Sequence, residues 1–202
     1  MTTRTSSEGC RATPVRAIAV VLAGGTSRRF GTDKLAARLA GVSLLERAIA
    51  DIPEEWPVVV VGPERPLSRP AVFTREIPAG AGPAAALVAG ARVAALRCTG
   101  CMVSVPGDVP AGGQAARQLV SALADSDVDA CVGVDEHGVE QPLQLAVRGA
   151  ALTRLAETDP ASVVGASARS LLVGLDALQV RLPPRWTLDI DTPDQIALWS
   201  KL

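Results

Sequence analysis

Three short apolar runs, at residues 18–22, 58–61 and 101–105, lack the in–out alternation of a strand with one wet face. Each gives way to a stretch patterned for a helix. Continuous apolar runs of this length suit strands covered on both faces, and parallel strands need helical crossovers between them. Ser43 is placed to cap a helix over residues 44–52, with Leu44, Leu45, Ala48 and Ile52 on one face. Pro83, entered through Gly82, suits the first position of an Ala-rich helix running to about residue 96. Gly112 or Gly113 opens another, carrying Leu119, Val120 and Leu123 inward. Further on, residues 129–134 and 142–147 read as strands joined by the polar stretch 135–141, an antiparallel excursion. Helices are expected near 150–157 and 168–175, then a strand around 178–182. Thr192 caps and Pro193 starts a final helix. The alternation predicts an α/β fold, a three-layer α/β/α sandwich of Rossmann-like character with a mostly parallel sheet. Ligands in such folds collect at the carboxyl ends of the strands.

Composition narrows the function. A chain of 202 residues, 48% hydrophobic, is large enough for one self-sufficient core. Its 20 basic and 21 acidic residues leave a net charge of −1, which gives a polyanion nothing to grip. Two Phe, three Trp and no Tyr cannot build a base-stacking platform, so nucleic acid is excluded as a partner. No run approaches the roughly 20 apolar residues of a membrane span. Arg4, Arg11 and Arg16 precede the apolar stretch 17–23, but that stretch ends in a glycine turn rather than a cleavage site. A buried first strand explains it, and residues 1–16 are expected to form a polar, flexible tail. Cys98 and Cys101 have zinc-like spacing, yet only His137, Cys10 and Cys131 could complete four ligands. They are read as small packing residues, and free thiols point to a cytoplasmic protein.

The first apolar run ends in Leu22-Ala23-Gly24-Gly25, followed closely by Arg28, Arg29 and Lys34. A dinucleotide-binding turn requires G-x-G-x-x-G, and here the glycines are adjacent, with the next at Gly31. A Walker loop requires four residues between its glycines and then Lys-Ser/Thr; here five intervene and Thr32 follows Gly31. A plain structural turn accounts for the glycine pair but not for the cations behind it. Glycines 24 and 25 would let backbone N–H groups approach phosphates without a Cβ in the way.

The segment from Leu22 to Lys34, with Leu-Ala-Gly-Gly, Arg29, Phe30, Gly31 and Asp33-Lys34, resembles the signature of the molybdenum cofactor guanylyltransferase family. Gly80-Ala-Gly-Pro-Ala-Ala-Ala-Leu87 is similar to that family's Gly-Pro-Leu-Ala-Gly segment. Val105-Pro-Gly-Asp-Val-Pro110 is similar to its Asp-x-Pro metal motif, and Asp189-Ile-Asp-Thr-Pro-Asp194 to its closing Asn-x-Asn-Thr-Pro. The resemblance implies a single nucleotidyltransferase domain over residues 17–202. It implies a Mg²⁺-dependent enzyme that moves GMP from GTP to molybdopterin and releases pyrophosphate. Arg29, Lys34 and Asp108 are then the catalytic candidates, with Arg28 facing solvent. Leu22, Ala23, Gly24, Gly25, Lys34, Glu76, Gly82 and Asp108 would bind the nucleotide. Asp108 and Asp191 would hold Mg²⁺, and Asp194 would serve the helix dipole. Arg169, Asp189 and Asp191 would meet the acceptor, with Gln141 and Gln144 as further hydrogen-bonding groups. A monomer or weak oligomer is expected.

The chain departs from the family where the base is read. The family's Asn at the end of the second strand is absent from Val58-Val-Val-Val-Gly62, and its Asp before the Gly-Pro segment gives way to Arg75-Glu76. The paired aspartates 189 and 191 are closer to relatives that use CTP. Two alternatives therefore stand. One is a transferase using CTP with molybdopterin, or another nucleotide with a sugar or alditol phosphate. The other is a nucleotide-binding module without turnover, disfavoured because such a module needs no Lys34 and Asp108 together.

Overall fold

The computed structural model describes residues 16–25, 30, 33–97 and 100–199. The expected N-terminal tail, apart from Arg16, and the cysteines at 10 and 98 lie outside those residues. In chain order the elements are β1 (Ala17–Leu22), a short hairpin of β2 (Arg38–Leu39) and β3 (Val42–Ser43), α1 (Leu44–Ala50), β4 (Val58–Val61) and β5 (Ala71–Thr74). Then come α2 (Pro83–Arg97), β6 (Cys101–Pro106), α3 (Gly112–Ala124), β7 (Ala130–Val134) and β8 (Glu140–Arg148). The last are α4 (Gly149–Glu157), β9 (Ala177–Arg181), α5 (Pro184–Thr187) and α6 (Pro193–Trp199).

Seven strands form one sheet in the order β5-β4-β1-β6-β8-β7-β9. The pairs β1–β4, β1–β6, β4–β5 and β7–β9 are parallel, while β8 runs antiparallel to both β6 and β7. Side chains of β1 alternate between two cores. Ala17, Ala19 and Val21 pack with α1 and α3 residues such as Leu45, Ile49 and Leu119. Ile18 and Val20 pack with α2 and α4 residues such as Leu87, Ala91 and Leu152. The helices therefore cover both faces, which is why these strands carry no polar stripe.

Local chemistry sets several boundaries. Ser43 Oγ accepts from the Glu46 backbone N–H at 3.2 Å, capping α1 as the sequence predicts. Before α6, the Gln195 side chain accepts from the backbone N–H groups of Asp191 and Thr192, the reciprocal half of a capping box. The helix expected over 168–175 is instead a 3₁₀ turn, Ala168–Leu172. Its two buried residues, Ala168 and Leu171, are three apart, matching three residues per turn. Strand β5, short and half-buried at the sheet edge, has no counterpart in the sequence reading.

From β1 the chain moves outward to β4 and β5, then returns to the other side of β1 as β6. The carboxyl ends of β1 and β6 thus flank the point where strand order reverses, and ligands of open α/β sheets bind in that crevice. The crevice opens further because β6 and β8 stay paired only from Cys101 to Val103. At the next position the buried Ser104 hydroxyl donates to the Leu143 carbonyl at 2.8 Å and accepts from the Leu145 N–H at 3.2 Å.

Candidate active site

Residues from four separate segments meet at this crevice. Beyond β1, Ala23 stays buried while Gly24 and Gly25 are exposed. Gly25 has φ of +112°, a conformation that side chains disfavour, and among the described residues no atom lies within 4 Å of where its Cβ would stand. Arg28 and Arg29, the expected cations of this loop, lie outside the described residues.

Lys34 follows at once. Asp33 caps the short 3₁₀ turn Lys34–Ala36, its Oδ1 accepting from the Leu35 N–H at 3.2 Å, and Leu35 is buried beneath. The Lys34 ammonium donates to Asp108 Oδ2 and Asp191 Oδ1, each at 2.8 Å. Asp108 stands two residues past β6. The closing segment is tied to it by the Ile190 N–H, which donates to the Asp108 carbonyl at 3.0 Å. Ile190 is fully buried with Leu39, Leu44, Ala111 and Trp199, and this anchor lets Asp189 and Asp191 face the lysine side. Residues 34, 108 and 191, far apart in sequence, are thus brought into direct contact.

Asp108, Asp189 and Asp191 each offer a carboxylate oxygen within 4.8 Å of the others. Three hard oxygen donors at that spacing fit Mg²⁺ or Mn²⁺, which take few protein ligands and fill the rest from water and phosphate. Asp189 is exposed, yet desolvation by its surroundings raises its carboxyl above the ordinary value, the charges of Asp191 and Asp108 add to that, and Lys34 opposes it. Such like-charge crowding is relieved when a divalent cation binds. Burial alone would lower the Lys34 pKa, but the hydrogen bonds and charges of Asp108 and Asp191 outweigh it and the net shift is upward. The ammonium therefore holds its proton through neutral pH.

Glu76, after β5, is buried, and its Oε1 accepts from the Gly80 N–H at 2.8 Å. Its Oε2 is buried and has no hydrogen-bond partner among the described residues. A Cβ on Gly24 would stand 3.8 Å from Glu76 Oε1, so this carboxylate borders the glycine turn. Leaving a buried acceptor unmatched costs about 1–3 kcal/mol. Gly82, with φ of +103°, leads into α2 from the same loop.

The remaining acceptor candidates are engaged elsewhere. Arg169 pairs with Glu140, Nη1 to Oε2 at 3.0 Å, and no hydrogen bond or ion pair among the described residues joins it to the aspartates. Gln144 is buried and donates to the Trp186 carbonyl at 2.6 Å. Gln141 donates to Asp135 Oδ2 and the Val139 carbonyl, each at 3.3 Å, within the β7–β8 connection. In the structure these three make local contacts rather than contacts with the aspartates. Sequence reasoning missed Arg65, whose guanidinium reaches Asp33 and the carbonyl of Ala23. No local signal marks it, because its partners lie 32 and 42 positions away.

The model of the MobA-like NTP transferase domain matches residues 19–178. The chain belongs to that family. Among solved structures, it is similar to molybdopterin-guanine dinucleotide biosynthesis protein A from Archaeoglobus fulgidus, with 21% identity, a TM-score of 0.67, and coverage of 91% of this chain and 96% of that one. It is also similar to Rv0371c of Mycobacterium tuberculosis H37Rv in complex with manganese (16% identity, TM-score 0.61, 92% and 98% covered). A third is 2-C-methyl-D-erythritol 4-phosphate cytidylyltransferase from Thermus thermophilus (17%, TM-score 0.59, 91% and 97%). At these identities the likeness is one of fold: a mostly parallel, seven-stranded sheet between helical layers. A comparison with curated proteins gives no match. No helix among the described residues is long and apolar enough to cross a membrane.

Proposed function

We propose that this protein is a divalent-metal-dependent nucleotidyltransferase that moves GMP from GTP to the phosphate of molybdopterin and releases pyrophosphate. The contact of Lys34 with Asp108 and Asp191, beside the exposed glycine turn at the point of strand reversal, carries the reading. In this reaction an acceptor phosphate oxygen forms a bond to the α-phosphorus as the bond from that phosphorus to the bridging oxygen breaks. No enzyme nucleophile is needed, so the protein must position and stabilise charge.

Gly24 and Gly25 would offer backbone N–H groups to the phosphates. Lys34, charged and only 13% exposed, would balance negative charge growing on the phosphates, with Arg29 as the loop's second cation. Asp108 and Asp191 would hold Mg²⁺, with Asp189 close enough to join them. The bound ion supplies charge neutralisation for the reacting phosphates. Glu76 Oε2 would accept from the N–H groups on the Watson–Crick edge of guanine, taking the role of the absent Asn and Asp. Supporting the molybdopterin side are the family match and the likeness to the Archaeoglobus protein. The acceptor would approach from the rim formed by the start of β8 and the closing segment.

A second reading uses CTP. The Asp189–Asp191 pair and the likeness to a cytidylyltransferase favour it. A pyrophosphate-release assay with GTP, CTP, ATP and UTP, with and without molybdopterin, decides. Release with GTP and molybdopterin is expected. Release with CTP alone replaces the guanine reading, and release with no nucleotide returns the protein to a binding module.

A further inference from the structure

Arg65 lies beyond β4, in a connection with no part in the chemistry just described, yet its side chain is only 14% exposed. Its Nε donates to Asp33 Oδ2 at 2.8 Å and its Nη2 to Asp33 Oδ1 at 3.1 Å, a two-point fork. Its Nη1 donates to the carbonyls of Ala23 at 3.1 Å and Pro63 at 3.2 Å. Every nitrogen of the guanidinium is therefore occupied. Ala23 is the last residue before the glycine turn, and Asp33 is the last before Lys34. One cation thus holds both ends of the segment that carries the glycines and the lysine.

The neighbouring backbone is built for the same purpose. The exit of β4 passes so close to the exit of β1 that a Cβ on Gly62 would lie 2.5 Å from the Ala23 carbonyl oxygen. That approach brings the connection after β4 within reach of the loop after β1. The Asp33 carboxylate does two things at once: it receives the fork and caps the turn that begins with Lys34. The hydrogen bond from Arg65 holds its carboxyl below the ordinary carboxylate range.

From this geometry we infer that Arg65 is a positioning residue: it clasps the two ends of the phosphate loop, fixing Gly24–Gly25 and Lys34 in the register needed for nucleotidyl transfer. The inference rests on the transferase reading and deepens it. A ground-state anchor of this kind acts on geometry rather than on substrate contact. A shift of about 1 Å at a reacting group can cost on the order of 100-fold in rate. Lysine cannot replace the fork, because an ammonium cannot span two carboxylate oxygens and two carbonyls as a planar guanidinium does.

The test compares wild type, Arg65→Gln, Arg65→Lys, Asp33→Asn and the double variant Asp33→Asn/Arg65→Gln. Each is assayed for pyrophosphate release with GTP, Mg²⁺ and molybdopterin, and for amide hydrogen exchange. Arg65→Gln is expected to lower kcat by roughly 10- to 100-fold, with a smaller change in KM. Exchange at residues 33–36 should accelerate while β1, β6 and α2 keep their protection. Arg65→Lys should recover little, and the double variant should lose no more than the worse single variant, because both changes open one clasp. Wild-type kcat in Arg65→Gln, unchanged exchange at residues 33–36, or faster exchange spread evenly through β1 and α2 would overturn the inference. If wild type itself releases no pyrophosphate with any nucleotide, the transferase reading fails. Exchange at residues 33–36 then still decides whether Arg65 holds the segment.

Discussion

Replacing Glu76 with Gln separates stability from function. In the native protein one carboxylate oxygen accepts from the Gly80 N–H, while the other is buried with no partner among the described residues. Glutamine keeps the acceptor for Gly80 and turns the second oxygen into an N–H₂ group, removing the formal charge at almost constant volume. An unmatched buried acceptor costs about 1–3 kcal/mol, and more when it carries charge. The exchange removes a buried charge but leaves the N–H₂ donors unmatched, so stability should move by no more than about 1 kcal/mol, a shift of roughly 2–4 °C in Tm at this chain length. Recognition should fall. The new N–H₂ would face the guanine N–H donors, losing a charge-assisted hydrogen bond of about 1.5–3 kcal/mol. That corresponds to a loss of about 10- to 150-fold in kcat/KM for GTP. Thermal unfolding without nucleotide and pyrophosphate release with a GTP series provide the two readings. A larger fall in Tm together with an unchanged kcat/KM would refute the reasoning and leave Glu76 as a brace for the Gly80 turn alone.

Lys34→Ala, which leaves Asp108, Asp189 and Asp191 without their ammonium, should reduce turnover by at least ~100-fold, or about 2.7 kcal/mol at the transition state, in steady-state pyrophosphate release. The Asp189 carboxyl titrates above its ordinary 3.8 in the folded chain, so the fold binds its proton more tightly than the unfolded chain does. Its contribution to stability should therefore fall as pH rises from 3.8 through the raised value. Urea midpoints measured across that window without divalent cation should show a slope that Asp189→Asn flattens. Ser43→Ala removes the α1 cap and should cost about 1 kcal/mol in urea unfolding, with nucleotide binding unaffected.

The sheet was legible because burial on both faces writes itself into consecutive residues, as in Val58-Val-Val-Val61. The α1 cap was legible because Ser43 acts within three positions of itself. What escaped depends on distance or on an edge. Ala71–Thr74 is a half-buried edge strand held by its pairing with β4, and its apolar run of three residues is too short to stand out. The pairing of Arg169 with Glu140, 29 positions apart, has no local signal either. Lys34 and Asp108 were individually visible in their motifs. Their meeting at 2.8 Å depends on Asp33 capping a turn over buried Leu35, and on Ile190 tethering the closing segment to the Asp108 carbonyl.

Strand β8 enters the sheet against the direction of its neighbours, so its beginning, not its end, reaches the rim that carries the glycine turn and Asp108. The connection of residues 135–139 projects from that rim without sharing a register with β1 or β4. Under the transferase reading proposed above, lengthening or recolouring this one hairpin would alter the rim beside the crevice while leaving the glycine turn and Lys34 in place.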